Sequence, residues 1–172
     1  TTERTVSSVG IADVTVLKIS KYNSEYQNEV NSLYRLNRVR GEPIAPKILA
    51  DFVIRDTGFI LLQNAKAVYP KARLITQWGD MKPIERRLVI PELKKSLKRL
   101  HAAGLGHGNM HGHNVWVAKF DVPKTNTNPL GKKYKVFFTD FGRAYAYGKK
   151  YNTTKKSWRY EGMAHRIPVK TS

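Results

Sequence analysis

The chain contains no cysteine, which excludes a disulfide framework, thiolate catalysis and any zinc site built on cysteines. No apolar run approaches the roughly 18 residues of a membrane-spanning helix. The start, Thr1-Thr2-Glu3-Arg4, has none of the zones of a secretory signal. The expectation is an intracellular protein, in cytoplasm or nucleus, or one packed inside a virion. Acidic residues are scarce: 13 Asp and Glu stand against 31 Lys and Arg, for a formal net charge of +18. A field of that sign draws polyanions such as nucleic acid, ATP or an acidic protein surface. The plainer alternative is a basic surface that serves solubility, at a cost in self-repulsion. With 172 residues and 41% hydrophobic composition, the chain can bury a core shared by two small lobes, and it is not compositionally disordered. There are no internal repeats.

The informative stretch runs from His107 to Gly142. It reads His107-Gly108-Asn109-Met110-His111-Gly112-His113-Asn114, then the apolar run Val115-Trp116-Val117. A polar, basic insert follows, then Val136-Phe137-Phe138 and Thr139-Asp140-Phe141-Gly142. Two short strands would carry a polar loop before the first and an acidic turn after the second. That aims the Asn114 amide and the Asp140 carboxylate at one point, where a shared metal ion fits. The pattern resembles the catalytic core of the protein kinase family, His-x-Asp-x-x-x-x-Asn followed by a strand pair and Asp-Phe-Gly. The matching residues are His107, Asn109, Asn114 and Asp140-Phe141-Gly142. The family's catalytic aspartate falls on Asn109, an asparagine. The continuation Gly142-Arg143-Ala144-Tyr145-Ala146-Tyr147 is similar to the casein-kinase and vaccinia-related branch. Compact degenerate kinases of large DNA viruses offer a further analogy.

The first third supplies the parts this resemblance requires. Val6–Val9 and Val14–Ser20 read as a hairpin around Gly10. The second of these strands resembles the kinase strand whose lysine grips nucleotide phosphates, which implies that role for Lys18. Ser24 to Leu36 reads as a helix, with Ser24 as cap, Gln27 completing a capping box, and Tyr26, Val30, Leu33 and Leu36 on one apolar face. The resemblance implies an ion pair between Lys18 and Glu29, with Glu25 the competing partner. Ile48–Ile54 and Phe59–Gln63 flank an Arg55–Gly58 turn and complete a sheet of five strands, or four if the first is lost. Gln63, Asn64 and Ala65 then fall where the family's hinge reads adenine with its backbone. Glycine is sparse where the family has a phosphate-covering loop. Only Gly10 lies there, so the loop is degenerate or trimmed and nucleotide affinity is expected to suffer.

Residues 66–83 read as irregular. A helix follows on Leu93, Leu97 and Leu100, with Ile90 before them, Pro91 opening or kinking it, and Gly104 as its stop. Its polar face carries Lys94, Lys95, Lys98 and Arg99, with Arg86 and Arg87 upstream. Residues 123–133 read as a turn or mobile loop. Past Gly142, Lys149, Lys150, Lys155, Lys156, Arg159 and Arg166 interleave with Tyr145, Tyr147, Tyr151, Trp158 and Tyr160. That mixture suits phosphates and stacked bases, or else an activation segment lying over the lobe. No Ala-Pro-Glu segment follows, so the chain reads as about two-thirds of the family's fold.

The expected fold class is therefore α+β and kinase-like. Residues 1–64 form a small antiparallel N-terminal sheet with one helix, and residues 65–172 a minimal, truncated helical C-terminal lobe. The resemblance implies ATP and Mg²⁺ as cofactors. Lys18, Gln63, Asn64, Ala65, Asn114 and Asp140 would bind them, Asn114 and Asp140 as the metal ligands, with Lys18, Glu29 and Asn109 in the catalytic positions. An asparagine amide orients a hydroxyl but cannot take its proton, and losing a general base costs on the order of 10² to 10⁴ in rate. The functional expectation is a pseudokinase or weakly active kinase acting through nucleotide or protein-partner binding. One alternative is an active minimal serine/threonine kinase, if Asn109 is an engineered replacement. Another is a basic nucleic-acid-binding protein on a kinase-derived fold, using Lys94, Lys95, Lys98, Arg99, Lys149, Lys150, Lys155 and Lys156. A zinc site on His107, His111 and His113 lacks an evident fourth ligand.

Overall fold

Apolar side chains at alternate positions build the first sheet of the structure, a computed structural model that describes residues 5–7, 14–152, 154 and 157–162. Strands β1 (Thr5–Ser7), β2 (Thr15–Lys21), β3 (Ile48–Ile54) and β4 (Thr57–Gln63) pair antiparallel in the order β1-β2-β4-β3. The sheet has four strands with the first one present, where five were expected and four only without it. The turn around Gly10 lies outside the described residues.

Helix α1 (Ser24–Asn37) lies on one face of the sheet and buries Tyr26, Val30, Leu33 and Leu36. Its cap is Asn23 rather than Ser24. Asn23 holds the extended backbone a cap needs, and its side chain accepts from the Tyr26 amide at 3.1 Å. Gln27 closes no capping box and donates instead to the Tyr22 hydroxyl at 2.8 Å. The β3–β4 turn is only Arg55-Asp56, so Thr57 and Gly58 belong to β4. Gly58 is required there by packing, because the Tyr26 ring lies where a Cβ would stand. The Tyr26 hydroxyl shares its proton between the Phe52 and Phe59 carbonyls, at 3.2 and 3.1 Å.

Residues 66–83 hold more order than their composition suggests. They comprise most of α2 (Ala65–Val68), the two-residue strand β5 (Arg73–Leu74) and a 3₁₀ turn, Ile75–Trp78. Helix α3 (Pro83–Ala102) begins with one proline and passes through another, Pro91. Of the two roles expected for it, Pro91 does not open the helix, which begins eight residues earlier at Pro83. It lies on the solvent side, as does Arg87, whose carbonyl loses its helical partner. Ser96 ties α3 to the next sheet by donating to the Val136 carbonyl at 2.6 Å. The helix stops as predicted at Gly104, with φ +85°.

The remaining strands are β6 (Leu105–Gly106), β7 (Val115–Asp121), β8 (Lys132–Phe138), β9 (Tyr145–Asn152) and β10 (Ser157–Gly162). They form two three-stranded antiparallel sheets, β5-β7-β8 and β10-β9-β6. The expectation of a helical second part is thereby corrected. Among the described residues α3 is its one long helix, and the Tyr- and Lys-rich tail folds back as the β9–β10 hairpin. The insert between β7 and β8 is a built turn, in which the Thr125 and Asn128 backbones exchange hydrogen bonds and Asn128 donates to the Lys132 carbonyl at 2.7 Å. One hydrophobic cluster joins both parts of the chain, from Leu33, Ile44 and Ile60 to Leu100, Val136 and Phe141. No helix among the described residues is long and apolar enough to cross a membrane.

Substituting Gly58→Ala is expected to cost about 1–3 kcal/mol through overpacking against Tyr26. Thermal unfolding should show the lowered midpoint, and Tyr26→Leu in the same chain should relieve part of it.

Candidate functional site

Strand alternation turns Lys18 of β2 toward α1, where its ammonium meets the Glu29 carboxylate at 2.5 Å. Both residues are buried, at 8% and 2% exposure, so the charges must satisfy each other. Glu25, the competing candidate, instead faces Arg143 at 3.7 Å. A second carboxylate also approaches: Asp140 Oδ1 lies 4.0 Å from Lys18 Nζ.

The loop after β6 is built around His107. Its Nδ1 accepts from the Asn109 amide at 3.2 Å, and its Nε2 lies 2.7 Å from the Thr139 carbonyl. That pairing assigns a neutral ring with its proton on Nε2. Burial is the largest influence on this imidazole and holds it below its ordinary value of 6.5, against the opposing pull of the Thr139 carbonyl. The next residue must be glycine. Gly108 has φ +78°, and a Cβ would collide with the Arg143 carbonyl. The loop closes where the Asn114 amide nitrogen donates to the Asn109 carbonyl at 2.9 Å. The Asn114 carbonyl in turn accepts from the Thr139 amide at 3.0 Å.

Beyond Thr139 the chain turns sharply at Asp140, whose φ of +64° is a conformation side chains other than glycine seldom adopt. Phe141 is fully buried, its ring 4.9 Å from that of His107. Asn28 of α1 reaches across to the Gly142 carbonyl at 3.4 Å. This turn is therefore held from below by His107 and from above by α1.

Lys18, Glu29, Gln63, Asn64, Ala65, Asn114 and Asp140 all line one cavity of about 380 Å³. Sequence reasoning missed the apolar wall, made by Val16, Leu33, Pro46, Leu62 and Trp116. It also missed Thr139, whose hydroxyl accepts from Trp116 Nε1 at 3.1 Å. Alternation in β2 and β4 was the available signal for Val16 and Leu62; Pro46 and Trp116 gave none. Asn109 does not line the cavity; its backbone anchors the loop beside it. At the Gln63–Ala65 end, the Gln63 and Asn64 amides are spent on the Lys47 and Val14 carbonyls. Ala65 begins α2, so its amide has no acceptor within the helix.

The donor set fits a hard divalent cation. With the Asn114 nitrogen committed to Asn109, its oxygen is the atom left for a ligand, and Asp140 lines the same cavity. The histidine cluster does not form a site: among the described residues no group of three or more His, Asp or Glu could hold a metal. His107 is turned inward, away from such a role.

No protein-family model matches the chain, and no curated protein matches it. Among solved structures, monomeric WbdD aligns at 15% identity and a TM-score of 0.50, over 77% of this chain and 31% of its own. WbdD co-crystallised with the kinase inhibitor LY294002 aligns at 15% and 0.49, over 77% and 29%. The likeness is one of fold. The chain spans less than a third of either WbdD chain.

The basic candidates are dispersed. Lys94, Lys95 and Lys98 are exposed on α3 with Arg86 and Arg87. Lys95 lies 4.0 Å from Glu42, and Arg99 donates to the Arg40 carbonyl at 3.0 Å. Lys149 and Lys150 fall in β9, while Lys155 and Lys156 lie outside the described residues.

Because burial lowers both His107 and His101, the unfolded chain takes up protons first as the pH falls through about 6.5. Stability is therefore expected to decline from pH 7 toward pH 5. Denaturant titrations should show a smaller decline in His107→Gln, and smaller again with His101→Gln added.

Proposed function

We propose that this chain is a kinase-like nucleotide-binding domain with little or no phosphoryl-transfer activity. The observation that carries the reading is the convergence of Lys18, Glu29, Asn114 and Asp140 on one cavity whose far end is Gln63–Ala65. A buried ammonium held by one carboxylate and approached by a second suits the phosphates of ATP and the cation that travels with them. The apolar wall suits a flat base, and the Ala65 amide is a donor for its edge. A bound Mg²⁺ would neutralise the phosphate charge between Asn114 and Asp140. Lys18 would hold phosphate oxygens, and Glu29 would keep Lys18 extended toward them.

The reading of low activity rests on Asn109. It stands where a kinase has its proton acceptor, and an amide has no basic lone pair to offer. The Gly142-to-Tyr147 run is the feature that favours the casein-kinase and vaccinia-related branch. Action would then lie in binding, of nucleotide or of a protein partner. The exposed α3 residues Arg86, Arg87, Lys94 and Lys98 form no salt bridge among the described residues. That supports a secondary reading as a polyanion-binding surface, in which affinity for DNA or RNA falls steeply with salt.

ATP with Mg²⁺ is expected to raise the thermal midpoint, by about 2.7 kcal/mol of stabilisation at a hundredfold excess over Kd. Lys18→Met should remove most of that shift, read against its own lowered apo midpoint, since Glu29 is left buried without its ammonium. An unchanged midpoint with ATP and Mg²⁺ would sink the nucleotide reading. In a radiolabelled phosphate-transfer assay, Asn109→Asp is expected to exceed the unmodified chain by roughly 10² or more. Equal rates for the two would remove Asn109 as the cause of low activity.

A further inference from the structure

Thr139 connects the two residues assigned to the cation, and it is bonded on three sides. Its amide donates to the Asn114 carbonyl at 3.0 Å. Its own carbonyl lies 2.7 Å from His107 Nε2. Its hydroxyl accepts from Trp116 Nε1 at 3.1 Å. The first two bonds belong to the frame that joins the polar loop to the acidic turn. The third comes from elsewhere, the cavity wall, where Trp116 is the one aromatic side chain among the described residues.

The indole is itself held in place. Trp116 lies in the central strand of its sheet, paired with Leu74 on one side and Phe137 on the other. Its ring stacks on that of Phe137 at 6.0 Å and 17°. With its N–H donated to Thr139, Trp116 offers the cavity only carbon.

Threonine transmits this constraint because a β-branched side chain has few χ1 states. Holding the hydroxyl holds the Cα behind it, and with it the peptide that leads into Asp140. The next rotation along the chain is the φ of Asp140, already at +64°, where a residue with a Cβ has little freedom. The direction of the Asp140 carboxylate therefore follows from how Thr139 is set. Downstream, the same turn is anchored by the buried Phe141 and by Asn28 on the Gly142 carbonyl. Upstream, Thr139 is the anchor.

We propose that Thr139 is a positioning residue for the divalent cation: its hydrogen bond from Trp116 aims the Asp140 carboxylate at the ion that Asn114 shares. Thr139 acts through Asp140, and its hydroxyl is not a ligand. The same bond links the wall that suits a base to the turn that suits a metal. This assignment rests on the nucleotide reading above and adds to it a residue outside the motifs that led there.

The test is ADP binding by calorimetry, once in EDTA and once in saturating Mg²⁺. The ratio of the two dissociation constants reports the cation, because damage at the base end weakens both and cancels. The unmodified chain is expected to bind ADP about ten-fold more tightly, or better, when Mg²⁺ is present. Thr139→Val keeps the shape and removes the acceptor. It should lower the ratio by about ten-fold, the scale on which outer partners of metal ligands act. Thr139→Ser, which keeps the hydroxyl, should restore it. Trp116→Phe keeps an aromatic wall and removes the donor, and should lower the ratio as Thr139→Val does. Combining Trp116→Phe with Thr139→Val should lower it no further, since both delete one bond. A ratio that Thr139→Val leaves unchanged overturns the proposal and spares the nucleotide reading. So does a ratio lost in Thr139→Val but kept in Trp116→Phe, which would make the hydroxyl a ligand. If the unmodified chain binds no ADP, or binds it indifferently to Mg²⁺, the nucleotide or the cation reading fails and this assignment fails with it.

Discussion

The arrangement depends on one buried ammonium. Lys18 has left water, and a lone charge in that position would cost several kcal/mol. Glu29 removes most of the penalty at 2.5 Å, and Asp140 adds a second negative charge at 4.0 Å. These three residues come from a strand, a helix and a turn far apart in sequence. The requirement to neutralise Lys18 therefore fixes where α1 sits against the sheet, and where the turn after β8 sits against α1. Asn28 and Arg143 reinforce the same contact from either side.

Around this centre the chain spends unusual backbone. Asp140 holds a positive φ, and Gly108 both holds one and sits against the Arg143 carbonyl. Strain of this kind persists only where surrounding contacts determine it. Here His107 supplies them, bonded to Asn109 on one side and Thr139 on the other, with Phe141 packed against its ring. The polar loop and the acidic turn are thereby one rigid unit. The Asn114 and Asp140 side chains inherit their positions from it.

How much of this could be read in advance follows from the kind of signal each part leaves. That Lys18, Glu29, Asn114 and Asp140 would come together was legible from their motif spacing, and they line one cavity. The buried face of α1 was legible from its period. Asn23 was overlooked because two neighbouring residues can both cap, and only backbone conformation decides between them. Pro91 was left between opening and kinking its helix, because a proline fits either the first turn or an interior position on a solvated face. β5 and β6 are two residues long, too short for any alternation to show. The β9–β10 hairpin was hidden by composition: tyrosines and basic residues mixed with glycine suit a solvated strand as well as a loop. Asn28 and Ser32 left no trace, since a polar residue beside a helix's apolar stripe is ordinarily exposed, and here Ser32 is fully buried.

The hydrophobic cluster that joins α1 and β4 to α3, β7 and β8 bears on how the molecule responds as a body. Halves that share an interior cannot melt in sequence; they are lost in a single cooperative event. Nor can they swing widely against each other without opening that interior to water. A substitution that loosens the packing of β8 would therefore be felt at α1 and β4 as well, because one interior carries all three.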